Sequence, residues 1–165
     1  MITRRRMAVS FFLLACSWLV AIAIPSQAQD TQYLRFQNRW KPDQYLNVEH
    51  GQIESSPIAP GWFSAMWTLV PVENVDGPYV RIRNRWKPDQ YLNVENGQIE
   101  SGPIAPGWFS AMWSVEPVEG MDGRYVRIRN RWKPDQFLNV EHDQIESSPI
   151  ARGWFSAMWS VVGAP

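Results

Sequence analysis

Cysteine is almost missing: the chain has one in 165 residues, Cys16, and it lies in an apolar N-terminal run. An exported chain without further cysteine has no disulfides, so its core must hold it together. Histidine is nearly as scarce. His50 and His142 are the only two, and no His/Cys cluster has metal-ligand spacing, so no metal and no cofactor is expected. An excess of one charge is lacking as well, with sixteen basic and sixteen acidic residues. No glycine-rich phosphate loop leads a strand into a helix. No segment keeps a helical period beyond two turns, which points to an all-β chain.

The basic head Arg4-Arg5-Arg6, the apolar run Met7 to Ile24, Pro25 and the small residues of Ser26-Gln27-Ala28 read as a secretory signal peptide over residues 1–28. The competing readings are an uncleaved anchor, since the run is near the lower limit for a span, and lipidation at Cys16 of Leu13-Leu14-Ala15-Cys16. Cleavage after Ala28 would make the protein secreted or periplasmic, with no membrane association afterwards. It removes three basic residues and no acidic ones, leaving a net charge of −3. A mildly acidic chain offers no electrostatic footprint for nucleic acid.

What the chain does have is tryptophan in register. Trp40, Trp86 and Trp132 are 46 residues apart, as are Trp62, Trp108 and Trp154, and Trp67, Trp113 and Trp159. That period marks a repeat architecture. Residues 29–165 read as one domain of three repeats, 33–78, 79–124 and 125–165.

Each repeat reads as four strands. In the middle one, Val80 and Ile82 alternate with Arg81 and Arg83, the pattern of a half-buried strand, and Asn84 continues the inward face toward the turn that follows. Lys87-Pro88-Asp89-Gln90 is a turn. Tyr91 to Glu95 follows with Leu92 and Val94 inward and Tyr91, Asn93 and Glu95 outward; Asn96-Gly97 is a type I′ hairpin turn. Gln98 to Ser101 is a third strand. Pro103 and Pro106 make the next stretch a loop. A fourth strand is expected from Ser110, with Ala111, Trp113 and Val115 on one face.

Twelve strands in three repeats fall short of a propeller, and an open solenoid would want dissimilar caps at its ends. The end repeats match the middle one, so the first is expected to meet the third and close a ring. A β-trefoil, a six-stranded barrel capped by three hairpins, fits, and separate 46-residue beads would be too small to bury their own cores. The order Y-x-R-x-x-N, turn, Y/F-L-N-V-E, Gly-containing turn and closing W-x-V/L strand resembles the repeat of the ricin-B-type (R-type) β-trefoil lectins. The resemblance implies a trefoil of lectin type. Ala65, Ala111 and Ala157 stand where those lectins often carry glutamine, and Glu49, Glu95 and Glu141 are the carboxylates nearest to the lectin aspartate.

Trp62, Trp108 and Trp154 are the sharpest binding candidates. Each follows a glycine in a loop and precedes a phenylalanine, and two consecutive aromatics cannot both point inward from an extended segment. An exposed indole offers a flat apolar face to the C–H face of a sugar and an N–H for bonding. Glu49, Glu95 and Glu141, with the turn residues Asp43, Asp89 and Asp135, would accept hydrogen bonds from sugar hydroxyls. The other reading folds these tryptophans over the barrel bottom. Trp67, Trp113 and Trp159 read as core, and Trp86 as a turn residue packed by Lys87. Arg81, Arg83, Arg127 and Arg129 read as an outward ladder in cross-strand ion pairs. No residue set supplies a nucleophile with an oriented base, so the expectation is a monomeric, non-catalytic glycan binder with up to three equivalent sites. The alternative is a protein-binding trefoil, a protease inhibitor or envelope module, using the proline-rich loops. Asp143 and Arg152 single out the third repeat as the one that differs.

Overall fold

The computed structural model describes residues 32–165; the segment read as a signal peptide lies outside them. The first repeat contributes β1 (Leu34–Asn38), β2 (Tyr45–Glu49), β3 (Gln52–Ser56) and β4 (Trp67–Pro71). The second contributes β5 (Val80–Asn84), β6 (Tyr91–Glu95), β7 (Gln98–Gly102) and β8 (Trp113–Pro117). The third contributes β9 (Val126–Asn130), β10 (Phe137–Glu141), β11 (Gln144–Ser148) and β12 (Trp159–Gly163).

Six of these strands form a closed antiparallel ring. Following the pairing, β12 meets β1, then β4, β5, β8 and β9, and β9 returns to β12. The seam between first and third repeats is a full pairing, running from Leu34 opposite Gly163 to Asn38 opposite Trp159. The remaining strands make the hairpins β2–β3, β6–β7 and β10–β11. This is the expected β-trefoil.

The alternating strands aim the same four residues of every repeat at one core: Phe36, Leu46, Val48 and Trp67, then Ile82, Leu92, Val94 and Trp113, then Ile128, Leu138, Val140 and Trp159. A buried indole N–H needs an acceptor. Trp67, Trp113 and Trp159 donate to the carbonyls of Leu46, Leu92 and Leu138 at 2.9, 2.9 and 3.0 Å, pinning each fourth strand to its repeat's second strand. The hairpin turns have positive φ at both central residues, His50 and Gly51, Asn96 and Gly97, His142 and Asp143, as a type I′ turn requires.

Three expectations are corrected. The fourth strand does not begin at Ser110: a single 3₁₀ turn, Phe109–Ala111, precedes it, the strand starts at Trp113, and Ala111, Met112, Trp113 and Ser114 are all buried, so no alternation of burial marks its start. Asn93 does not point to solvent. Asn47, Asn93 and Asn139 are fully buried, because the loop after the third strand folds back over the outer face of the second. The arginine ladder is also only partly an ion-pair array. Arg129 pairs with Glu116, whereas Arg35 and Arg81 donate to the carbonyls of Pro60 and Pro106.

Candidate functional site

The G-W-F loop is shaped by its own backbone. The N–H of Trp62 donates to the Ala59 carbonyl at 3.1 Å, and the N–H of Met66 closes the 3₁₀ turn onto Phe63, also at 3.1 Å. With that turn made, Ala65 and Met66 are buried while Trp62 and Phe63 remain exposed.

The next repeat holds this loop in place. Asn84 is buried at the end of β5; its Oδ1 accepts from the N–H groups of Trp86 and Lys87, at 2.9 and 3.1 Å, and its Nδ2 donates to the Ser64 carbonyl at 2.9 Å. Arg85 donates its backbone N–H to Met66 at 2.8 Å. Its guanidinium lies between two rings, 3.9 Å from the centroid of Phe63 and 4.3 Å from that of Tyr33. Arg131 stands likewise between Phe109 and Tyr79, and Arg39 between Phe155 and Tyr125. The first-strand end of each repeat is thus a clamp on the loop of the repeat before it, and the Arg39 clamp closes the circle.

A groove forms at each of these junctions. The first, about 480 Å³, is lined by Val48, Glu49 and His50 of the hairpin, by Gly61 to Ser64 of the loop, and by Trp86 of the following repeat. The second, about 450 Å³, uses Glu95, Asn96, Trp108, Phe109 and Trp132. The third, about 540 Å³, uses Glu141, His142, Trp154, Phe155 and Trp40, so it exists only because the ring closes. Such sizes are in the range of small-ligand sites. Each groove is a largely apolar surface with one carboxylate among its lining residues.

The structure brings Trp62, Trp108 and Trp154 together with Glu49, Glu95 and Glu141, one of each per groove. It does not fold these tryptophans under the barrel: they are 38–39% exposed. Asp43, Asp89 and Asp135 are exposed in their turns and line none of the three grooves. Trp40, Trp86 and Trp132 were missed as site residues. Lys41, Lys87 and Lys133 do sit over their rings, at 5.0, 4.9 and 5.1 Å, so the cation–π contact is present. The same indoles are half exposed and complete the groove of the preceding repeat. Only the packing of consecutive repeats reveals this, because each repeat taken alone puts its two loop tryptophans in different grooves.

A fourth hollow, of about 630 Å³, lies where the third strands of the hairpins meet, and polar side chains such as Gln52, Gln98, Glu54 and Glu100 line it. It contains no aromatic residue among those lining it.

No family model matches the chain, and no curated protein matches it in sequence. Solved structures do match. An endo-β-galactosidase from Clostridium perfringens that releases GlcNAcα1-4Gal is 24% identical with a TM-score of 0.68, over 81% of this chain and 33% of that one. SeviL bound to asialo-GM1 saccharide is 15% identical with a TM-score of 0.65, over 82% of this chain and 99% of that one. The cytolethal distending toxin of Haemophilus ducreyi is 11% identical with a TM-score of 0.65, over 84% of this chain and 87% of that one. The chain spans only 18–33% of the first three structures it matches. At these identities the likeness is one of fold, and at that level it agrees with the strand pairing: the chain is a β-trefoil.

Proposed function

We propose that this protein binds carbohydrate at its three inter-repeat grooves and performs no chemistry on it. One observation carries the reading: two half-exposed indoles and a carboxylate recur together at every junction of the ring. Indole faces suit the apolar C–H face of a pyranose, and a carboxylate accepts from its hydroxyls. The arginine and asparagine clamps hold the loop tryptophan before any ligand arrives, which lowers the ordering cost of binding. A saccharide-bound trefoil among the structural neighbours is consistent with this. Glycoside hydrolysis uses a pair of carboxyl groups flanking the bond, and a single carboxylate lines each groove, which supports binding without turnover.

Shallow sites of this kind bind weakly one at a time. Three on one rigid ring gain by avidity where the target displays repeated glycans. The signal-type pattern of the first 28 residues supports a target outside the cytoplasm. The test is a glycan array probed with the protein and with a Trp62→Ala, Trp108→Ala, Trp154→Ala triple variant. We expect saccharide binding that the triple variant loses. Absence of any bound glycan, or binding indifferent to the three substitutions, refutes the reading.

A further inference from the structure

The three grooves differ in one charged contact. In the third, Lys41 forms an ion pair with Asp143 at the tip of the β10–β11 hairpin. Lys41 lies over Trp40, and Asp143 follows His142; both Trp40 and His142 line that groove. The ammonium therefore reaches across the rim from the indole to the hairpin turn. Lys87 and Lys133 lie over Trp86 and Trp132 at the same distance, within 0.2 Å. The hairpin positions facing them are Gly51 and Gly97, and no atom lies within 4 Å of where a Cβ would stand at either. Among the described residues neither Lys87 nor Lys133 has a carboxylate within ion-pair distance.

Asp143 is thus a carboxylate supplied by the chain itself, in a position that the other two grooves leave open. We propose that the first and second grooves accept a carboxylate-bearing saccharide, a uronate or sialate, with its carboxylate on Lys87 or Lys133, and that Asp143 closes the third groove to it. The inference rests on the carbohydrate reading above and makes it specific. Charge balance points the same way. Grooves one and two are each lined by one glutamate, with one lysine at the rim over the lining tryptophan, so the two charges offset for an acidic ligand. In the third, Glu141 lines the groove and Asp143 already pairs with the rim lysine Lys41, so two carboxylates stand against one ammonium and an incoming anion is repelled. Glu49 and Glu95 remain as acceptors for hydroxyls.

Calorimetry with matched ligands tests this: sialyllactose against lactose, and a glucuronate-ended oligosaccharide against its glucose-ended counterpart. At low salt the acidic member is expected to bind roughly 1.5- to fivefold more tightly, the range of an exposed ion pair, at two sites per chain. The preference shrinks as salt screens it. Lys87→Gln with Lys133→Gln brings the acidic ligand down to the affinity of the neutral one. Asp143→Gly raises the acidic stoichiometry to three, with thermal melts confirming that both variants are folded. Equal affinity for neutral and acidic ligands at low salt, or three acidic sites in the unaltered protein, overturns the inference and leaves carbohydrate binding standing. A sulfated counterpart that binds more tightly than the carboxylate overturns the assignment of a carboxylate. Failure of every saccharide, neutral or acidic, overturns both readings.

Discussion

Gly102 gives an internal test of how the hairpins are held. It occupies the position that Ser56 and Ser148 take in the other two repeats. There the buried Asn47 and Asn139 each donate through Nδ2 to a strand carbonyl at 3.0 Å and to the serine Oγ at 2.9 Å. Asn93 has only the carbonyl of Tyr91, at 3.2 Å. A Cβ at Gly102 would stand 3.7 Å from Asn93 Nδ2, an ordinary contact, so serine fits without displacing anything. A hydrogen bond of this kind contributes about 0.5–1.5 kcal/mol net. Removing glycine from a strand interior adds about 0.5–1 kcal/mol. Gly102→Ser is therefore expected to stabilise the protein by about 1–2.5 kcal/mol, which for a domain of this size raises Tm by roughly 3–10 °C. Ser56→Gly and Ser148→Gly should each lose a similar amount. Differential scanning calorimetry on the three variants reads this out directly. An unchanged or lower Tm for Gly102→Ser, or no cost at Ser56 and Ser148, refutes the reasoning that these asparagines depend on the facing hydroxyl.

Two further predictions concern the core and the clamps. Trp113→Phe removes the buried N–H that satisfies the Leu92 carbonyl and leaves unfilled space, so urea midpoints should show a loss of about 2–4 kcal/mol. Trp67→Phe and Trp159→Phe should match it, since their bonds differ by no more than 0.1 Å. Arg85→Met keeps much of the side-chain stem but removes the cation stacked between Tyr33 and Phe63, which should cost about 1–2 kcal/mol in the same assay. It should also weaken ligand binding at the first groove more than at the other two.

Most of the barrel was legible in the residues. A two-residue alternation, a type I′ turn at Asn96-Gly97 and a matching pattern in all three repeats were enough to place the first three strands of each repeat and to expect ring closure. Reading failed where a segment's burial comes from a partner outside the strand. Asn93 alternates as a solvent-facing residue, and only the loop folded across it makes it core. Phe109 to Ala111 reads as extended because three residues are too short to show a helical period. At the site, Trp62 and Glu49 were found because both lie within one repeat, whereas Trp86 was assigned to its own turn. Asp89, expected to extend the binding site as a polar turn residue, is exposed but lines neither neighbouring groove.

The misplaced tryptophan exposes how the site is distributed. A single repeat encodes every residue type the groove uses, a loop tryptophan, a hairpin glutamate and a turn tryptophan, yet holds none of the grooves. Trp62 and Glu49 face Trp86, Trp108 and Glu95 face Trp132, and Trp154 and Glu141 face Trp40. Two consecutive repeats would make one junction, whereas three in a closed ring make three, because the last loop finds the first turn. The contacts that join the repeats are also those that shape the grooves: Asn84 to Ser64, Arg85 between Phe63 and Tyr33, and their equivalents. Folding energy and site geometry therefore depend on the same side chains, and a change that loosens one junction must loosen the groove it carries. The Lys41–Asp143 pair lies across the junction between the third repeat and the first. That pair occupies the one rim ammonium which at the other two junctions has no carboxylate partner, so under the proposed reading closure and binding compete at one groove only.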